Sequence, residues 1–273
     1  MIKGILHPAE GETKYKISRH APSALAARFV QHYWVVDWDL RGQPAYIQQV
    51  LSHPNVNLVF EPGNSRVYGV SEGISTRIIE GCGRVVGIKF KPGGFHPFRP
   101  SNMAELTGRS LSFQEVFQME PKRLEDELFA IPDPDTAARY VDRFLLPRLP
   151  APDSNAELAC SIVYQIRDDR TIIKVDDIVC HSGLHIRSLQ RLFDRYVGVS
   201  PKWVILRYRL HEAAERMRQP EPIDWPALAL ELGYYDQSHF IRDFKSIVGV
   251  TPEEYSRRQC ETHLTASLAE GPR

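Results

Sequence analysis

Residues 183–201 read GLHIRSLQRLFDRYVGVSP, and residues 233–252 read GYYDQSHFIRDFKSIVGVTP. Laid over each other at an offset of 51, they place Leu189 on Phe240, Arg191 on Arg242, Phe193 on Phe244, Gly198 on Gly249, Val199 on Val250, Ser200 on Thr251 and Pro201 on Pro252. Upstream the offset is 50, with Gly183 on Gly233 and Ile178 on Leu228, so the second copy has gained one residue at its start. A fixed period of this kind marks a duplicated structural unit, not low complexity. In each copy a short helix ends at a glycine, the chain turns, and a second helix begins two or three residues later, which is the pattern of a helix-turn-helix.

Working outward, apolar periodicity predicts seven helices over about 156–168, 175–182, 185–197, 201–217, 226–232, 236–248 and 252–258. Pro201 and Pro252 sit where a first helical turn tolerates proline, Ser200 and Thr251 are their N-caps, and Asp224 caps the helix through Pro226. On the second helix of the first copy, Ile186, Leu189, Leu192, Phe193 and Tyr196 make an apolar stripe, and Arg187, Ser188, Arg191 and Arg195 the opposite face. In the second copy the stripe is Phe240, Phe244 and Ile247, leaving Gln237, Ser238, His239, Arg242 and Lys245 outward.

Such faces suit the edges of bases, because arginine offers paired donors to guanine while Gln, Ser and His meet several bases. From His185 to Arg218 there are eight Lys or Arg against three acids, a net of +5 inside a chain whose formal net charge is zero. Lys202, Arg195, Arg207 and Lys245 are candidate phosphate anchors, as are the helix N-termini at Pro201 and Pro252. A joining helix of 17 residues would be about 25 Å long, letting two reading helices reach major grooves about 34 Å apart. Arginines along one helix face are often merely solvated, and a glycine-broken helix pair is common in bundles. The duplication, with matching arginines and matching Gly-Val-Ser/Thr-Pro exits, favours DNA.

Residues 175–258 resemble the C-terminal DNA-binding domain of the AraC/XylS family of bacterial transcription regulators. The resemblance is carried by Ile178, Gly183, Leu189 to Phe193, Gly198 to Pro201, Arg209, Leu210, Ala213, Leu228, Ala229, Gly233, Tyr234, Asp236 to Phe240, Arg242, Phe244, Lys245, Gly249 to Pro252 and Tyr255. It implies that Arg187, Gln190 and Arg191 of one helix, and Gln237, Ser238, His239 and Arg242 of the other, face bases. It also implies double-stranded promoter DNA and RNA polymerase as partners, and a small-molecule effector or a homodimer controlled through the N-terminal half. Three residues depart from the usual pattern: Val179 for alanine, His185 for a serine cap, and Tyr235 for a small polar residue.

Residues 1 to about 100 read as β-rich. Runs at 31–38, 47–51, 57–60, 66–70, 75–79 and 84–90 are β-branched and aromatic, and Glu61 to Asn64, Ser71 to Gly73, Gly81 to Gly83 and Lys91 to Gly94 supply turns. The spacing predicts a small barrel or sandwich, cupin-like by the family resemblance, which the stretch from Val85 to His96 with Pro100 and Leu106-Thr-Gly supports. Helices follow, with a capping box at Ser112 to Glu115 and a helix over 136–146. Three prolines between 147 and 154 predict a linker at 148–154, dividing a regulatory domain, 1–147, from a DNA-binding domain, 155–260. A disordered tail is expected over 261–273. The fold class is therefore α+β, a β-rich domain with trailing helices followed by an all-α domain.

Tyr33, Trp34, Tyr46, Phe60 and Phe90 are candidates to line an effector pocket, although as barrel core they need no ligand. His53, Glu61 and His96 lack the tight HxH spacing of a barrel metal site, so no metal or other cofactor is expected. The four cysteines have no CxxC spacing, no apolar run approaches a membrane span, and the first residues lack a signal-peptide pattern, so a cytoplasmic location is expected. No Gly-x-Ser-x-Gly elbow, HExxH, P-loop or Rossmann glycine pattern is present, so no enzyme is expected. The alternatives are a cupin-like barrel enzyme or repair protein with a DNA-binding tail, and a helical domain that binds protein.

Overall fold

The computed structural model describes residues 4, 6, 8–219 and 221–259; the tail expected over 261–273 lies outside them. After a short helix, α1 (Pro8–Glu12), come strands β1 (Tyr15–His20), β2 (Val30–Asp39), β3 (Tyr46–Leu51), β4 (Asn57–Phe60), β5 (Arg66–Tyr68), β6 (Ile74–Ile79), β7 (Cys82–Phe90) and β8 (Ser110–Ser112). Six form one antiparallel sheet in the order β1-β2-β7-β4-β5-β8, and β3 pairs with β6 in a second.

Side chains alternate across a strand, so each face of the large sheet has its own partner. Tyr33, Val35, Leu58, Phe60, Val67, Val86, Ile88 and Phe90 share one core with Leu124 and Leu128 of α3 (Lys122–Phe129) and Ala137, Val141, Phe144 and Leu145 of α4 (Pro134–Leu145). Burying each of the larger side chains contributes roughly 2 kcal/mol. The capping box at Ser112 and Glu115 starts α2 (Phe113–Phe117), and the Asp133 carboxylate accepts from the Thr136 N–H at 2.7 Å to cap α4. On the opposite face Tyr15, Ile17, Val36 and Trp38 pack with Leu40, Tyr46 and Ile79, so the β3-β6 sheet covers one end of that face.

Beyond a turn at Leu146–Arg148 the chain runs extended to Asp153, whose carboxylate caps α5 (Ser154–Asp168). Then follow α6 (Val175–Ser182), α7 (Ile186–Tyr196), α8 (Pro201–Arg216), α9 (Trp225–Glu231), α10 (Gln237–Val248) and a helix over 252–259, α11. The long helix α8 divides between two cores. Its Val204 and Ile205 join α5, α6 and α7, whereas Leu210, Ala213, Ala214 and Met217 join α9, α10 and Tyr255 of α11. Bridging both units with one rigid helix of 16 residues, about 24 Å, fixes their separation.

The N-terminal part touches both units. A turn at Met103–Leu106 packs beside α7, the Thr107 hydroxyl donates to the Gly198 carbonyl at 2.6 Å, and the Asn102 amide donates to Asp194 at 2.7 Å. Leu6 lies in the core of the second unit, and its carbonyl accepts from the Tyr255 hydroxyl at 2.7 Å and the Gln259 amide at 3.0 Å. The Leu6 N–H in turn donates to Gln49 of β3.

Candidate nucleic-acid interface

In both units glycine makes the turn. Gly183 ends α6 at φ +66° and Gly233 follows α9 at φ +80°, conformations that side chains with a Cβ rarely adopt. At Gly233 a Cβ would also stand 2.9 Å from Ile173, so the second turn is closely packed. The reading helices are then capped. His185, unusual at this place, accepts the Arg187 N–H on its Nδ1 at 3.3 Å, and Asp236 accepts the His239 N–H at 2.7 Å. The His185 ring thus substitutes for the expected serine.

On α7, Leu189, Leu192, Phe193 and Tyr196 are buried, Ser188 is half-buried, and Arg187, Gln190, Arg191 and Arg195 are exposed. On α10, Phe240, Phe244 and Val248 are buried, Gln237 is half-buried, and Ser238, His239, Arg242 and Lys245 are exposed. His239 stands edge-on to Tyr234 at 5.4 Å with its Nε2 3.5 Å from Asp243, which limits its freedom to turn outward. Among the described residues, Arg187, Arg191, Arg242, Lys202 and Lys245 make no ion pair, whereas Arg216 of α8 is paired with Glu212 at 2.9 Å and with Glu231. A cation left without a carboxylate and open to solvent is available to an incoming anion.

Two arginines of α8 behave differently. Arg207, a phosphate candidate from its sequence, is 1% exposed: it donates to the Glu72 carbonyl, lies 4.4 Å over the Trp203 ring, and is pushed down to about 10 by burial. That candidate is therefore corrected; Arg207 anchors the N-terminal part to α8 and cannot meet a phosphate in this arrangement. Arg209 turns inward to the carbonyls of Arg170 and Ile172, holding the loop that leads into α6.

The proposed effector lining is corrected too. Tyr33, Phe60 and Phe90 belong to the core between the large sheet and α3-α4, with the Tyr33 hydroxyl bonded to Asp142 at 2.7 Å. Trp34 lies on the other face over Gly87, where a Cβ would come within 2.1 Å of the indole, and Tyr46 packs in the separate core under β3-β6. A groove of 340 Å³ lined by Arg28, Lys91, Asp153, Cys160 and Tyr164 contains none of the five.

Sequence reasoning missed the chemistry at the other end of that second face, which lies within reach of Arg167 and His211 of the helical half. Register places Arg19 opposite Trp34, Trp34 opposite Gly87, and both His32 and Asn57 opposite Lys89. Burial, then the charges of Arg19 and Arg167, push Lys89 down to about 7; burial, then Lys89 and Arg19, push His32 down to about 4. Strand periodicity would have put these residues on one face only if β1 had been identified. His53, Glu61 and His96 do not form a metal cluster: His53 stacks on His211 at 4.0 Å, and His96 lies against Tyr196 at 4.2 Å.

Residues 180–258 match a family model described as a helix-turn-helix domain, and residues 18–112 match a domain of unknown function (DUF6597). The chain is 34% identical over 83 residues to the HTH-type transcriptional activator AarP of Providencia stuartii, covering 30% of this chain and 61% of that protein. It is 32% identical over 97 residues to the F1 operon positive regulatory protein of Yersinia pestis, covering 35% of this chain and 32% of that one. Across the curated relatives it matches, the chain spans between 22% and 61% of their lengths. Among solved structures it is similar to a probable AraC family transcriptional regulator from Rhodopseudomonas palustris, at 26% identity over 36% of this chain and 93% of that one, with a TM-score of 0.33. It is also similar to ToxT from Vibrio cholerae, at 13% identity over 89% and 97% of the two chains, with a TM-score of 0.40. Among the described residues, no helix is long and apolar enough to cross a membrane.

Proposed function

We propose that this chain, whose residues 180–258 match a helix-turn-helix domain, is a sequence-specific regulator of transcription of the AraC/XylS type that sets α7 and α10 into successive major grooves of promoter DNA. The observation that carries the proposal is the pair Arg191 and Arg242, exposed and without ion pairs among the described residues, at matching positions of two units that share α8. In this reading Arg187, Ser188, Gln190, Arg191, Gln237, Ser238, His239 and Arg242 meet bases, while Arg195, Lys202 and Lys245 meet phosphates. No catalysis is assigned to the chain.

Selection of binding sites from a randomised duplex library with the full chain, followed by affinity measurements, tests it. Arg191→Ala and Arg242→Ala should each cost about 1 to 3 kcal/mol and relax preference at one position. Equal loss on selected and random duplexes from Arg191→Ala would count against base readout. A chain that binds only protein would show no steep fall of DNA affinity with salt.

Control through the N-terminal part belongs to the same reading, with RNA polymerase as the target of the DNA-bound protein and a homodimer as its active form. We place a small-molecule effector on the sheet face at Arg19, His32, Trp34 and Lys89, where the Arg19 guanidinium, the Lys89 amine and a neutral imidazole lie beside an indole, which favours an anion with an apolar body. Thermal shift with a panel of small carboxylates and phosphates, wild type against Lys89→Met, tests the seat, and sedimentation tests the dimer.

A further inference from the structure

The repeat and the structure together isolate one surplus residue. The glycines Gly183 and Gly233 correspond at an offset of 50, and the caps His185 and Asp236 at an offset of 51, so the first turn holds Leu184 alone and the second holds Tyr234 and Tyr235. Leu184 packs against the core of its unit, and Tyr234 does the same in the other, 5.3 Å from the Phe240 ring. Tyr235 is thus the residue the second copy has gained.

Nothing in the fold uses it. Tyr235 is 90% exposed, more than any other exposed large hydrophobic side chain among the described residues, and has no hydrogen bond, ring contact or ion pair among them. A turn that needed only one more residue would be served by a small polar one, without setting an aromatic ring in water. The position decides what the ring meets. Tyr235 directly precedes Asp236, the cap of α10, whose carboxylate accepts from the N–H of His239, while those of Gln237 and Ser238, in the first turn, have no intrahelical acceptor. A recognition helix enters a major groove with its N-terminal end leading, so the residue just before its cap stands at the rim, where the sugar-phosphate strand runs. Tyrosine hydroxyls are among the donors that phosphates accept from.

We propose that Tyr235 is a backbone contact of the second reading helix, its hydroxyl donating to a phosphate oxygen and its ring lying against the adjoining deoxyribose. The inference rests on the DNA-binding reading above. It makes the two units unequal, since the first turn has no counterpart to this side chain.

The full chain and its Tyr235→Ser and Tyr235→Phe variants would be titrated against a selected duplex and a random duplex of equal length, at several salt concentrations, with thermal unfolding of each. Tyr235→Phe should lose about tenfold in affinity on both duplexes, because the lost hydrogen bond is to a charged group; Tyr235→Ser, which gives up the ring contact as well, should lose more. The salt slope should not change, because a phenol releases no counterion, whereas Lys202→Ala should lower it by about one. Unfolding temperatures should be unaltered. Affinities within twofold of wild type would overturn the proposal. A loss confined to the selected duplex would overturn the backbone assignment in favour of a base contact. Normal affinity with loss of transcription in a reconstituted polymerase assay would overturn it in favour of a protein partner. If the wild type binds neither duplex, the DNA-binding reading itself fails, an outcome distinct from the failure of Tyr235 alone.

Discussion

Gly198 and Gly249 are matched positions of the repeat, and their surroundings differ in one respect that can be measured. Both have positive φ, +93° and +84°, so an alanine at either should cost about 1 to 2 kcal/mol of backbone strain. At Gly249 a Cβ would meet nothing within 4 Å, whereas at Gly198 it would stand 2.8 Å from the Met103 carbonyl and 2.9 Å from the Thr107 hydroxyl. The neighbour at Gly198 is backbone, which cannot simply swing aside, so overpacking adds about 1 to 3 kcal/mol there. We expect Gly249→Ala to destabilise the full chain by about 1 to 2 kcal/mol and Gly198→Ala by about 2 to 5 kcal/mol. Urea denaturation followed by circular dichroism, with unchanged m-values, gives the two numbers. Thr107→Val supplies a check, because it removes only the 2.6 Å bond to the Gly198 carbonyl and should cost about 1 kcal/mol. Equal destabilisation by the two alanines would refute the reasoning, since it would mean that the turn at 103–107 does not press on the first unit in solution.

Leu6→Ala should destabilise the chain by about 2 to 4 kcal/mol, because a side chain 1% exposed in the core of the second unit leaves a cavity there; thermal unfolding of the variant checks this. Burial pushes the Lys89 ammonium down to about 7 from its ordinary 10.5, so between these values the unfolded chain binds more protons and stability should rise with pH, the full penalty applying below pH 7. Lys89→Met should therefore be more stable than wild type at pH 6 and lose part of that advantage by pH 10, as read by denaturation at both. Lys202→Ala, at an exposed lysine one residue into α8, should weaken binding to selected and random duplexes alike in a fluorescence titration.

The helical half was legible because its signals are local. A glycine that must take positive φ, a proline in a first turn and a cap that accepts a nearby N–H each act within four residues, and their positions at Gly183, Pro201 and Asp224 needed no knowledge of the rest of the chain. The sheet was legible only where strands are apolar enough to announce themselves. The β1 strand, YKISRH, carries charge on both faces, and its identity as a strand comes from pairing Ile17 with Val36 and Arg19 with Trp34. The β8 strand is three residues at an edge. The effector lining failed for a reason already present in the chain: Tyr33 and Trp34 are neighbours in one strand, and a period of two sends them to opposite faces. Arg207 failed because amphipathicity speaks of one helix at a time. α8 is enclosed by two units and the N-terminal part, so a basic residue on it can be interior.

That enclosure bears on how a signal would travel. The separation of the reading helices depends on α8, but their grip on it is shared with the N-terminal part through two unlike contacts. The first unit takes one apolar side chain of the N-terminal part, Val70, into its core, and is otherwise touched at Gly198 and Asp194 by hydrogen bonds and at Tyr196 by the His96 ring. The second unit holds Leu6 inside its core and bonds its carbonyl twice, so that this short segment is simultaneously a neighbour of β3 and a part of the unit around α10. Breaking the first contact uncovers a single valine and polar groups that water can satisfy, at a net cost of about 1 kcal/mol for each bond, whereas withdrawing Leu6 and Leu51 opens a larger part of an apolar core. A rearrangement of the β-rich part should therefore release α7 before it releases α10. Hydrogen exchange distinguishes the order: backbone amides of α7 should gain exchange at lower denaturant than those of α10, and the reverse order would show that the Leu6 segment is the weaker of the two.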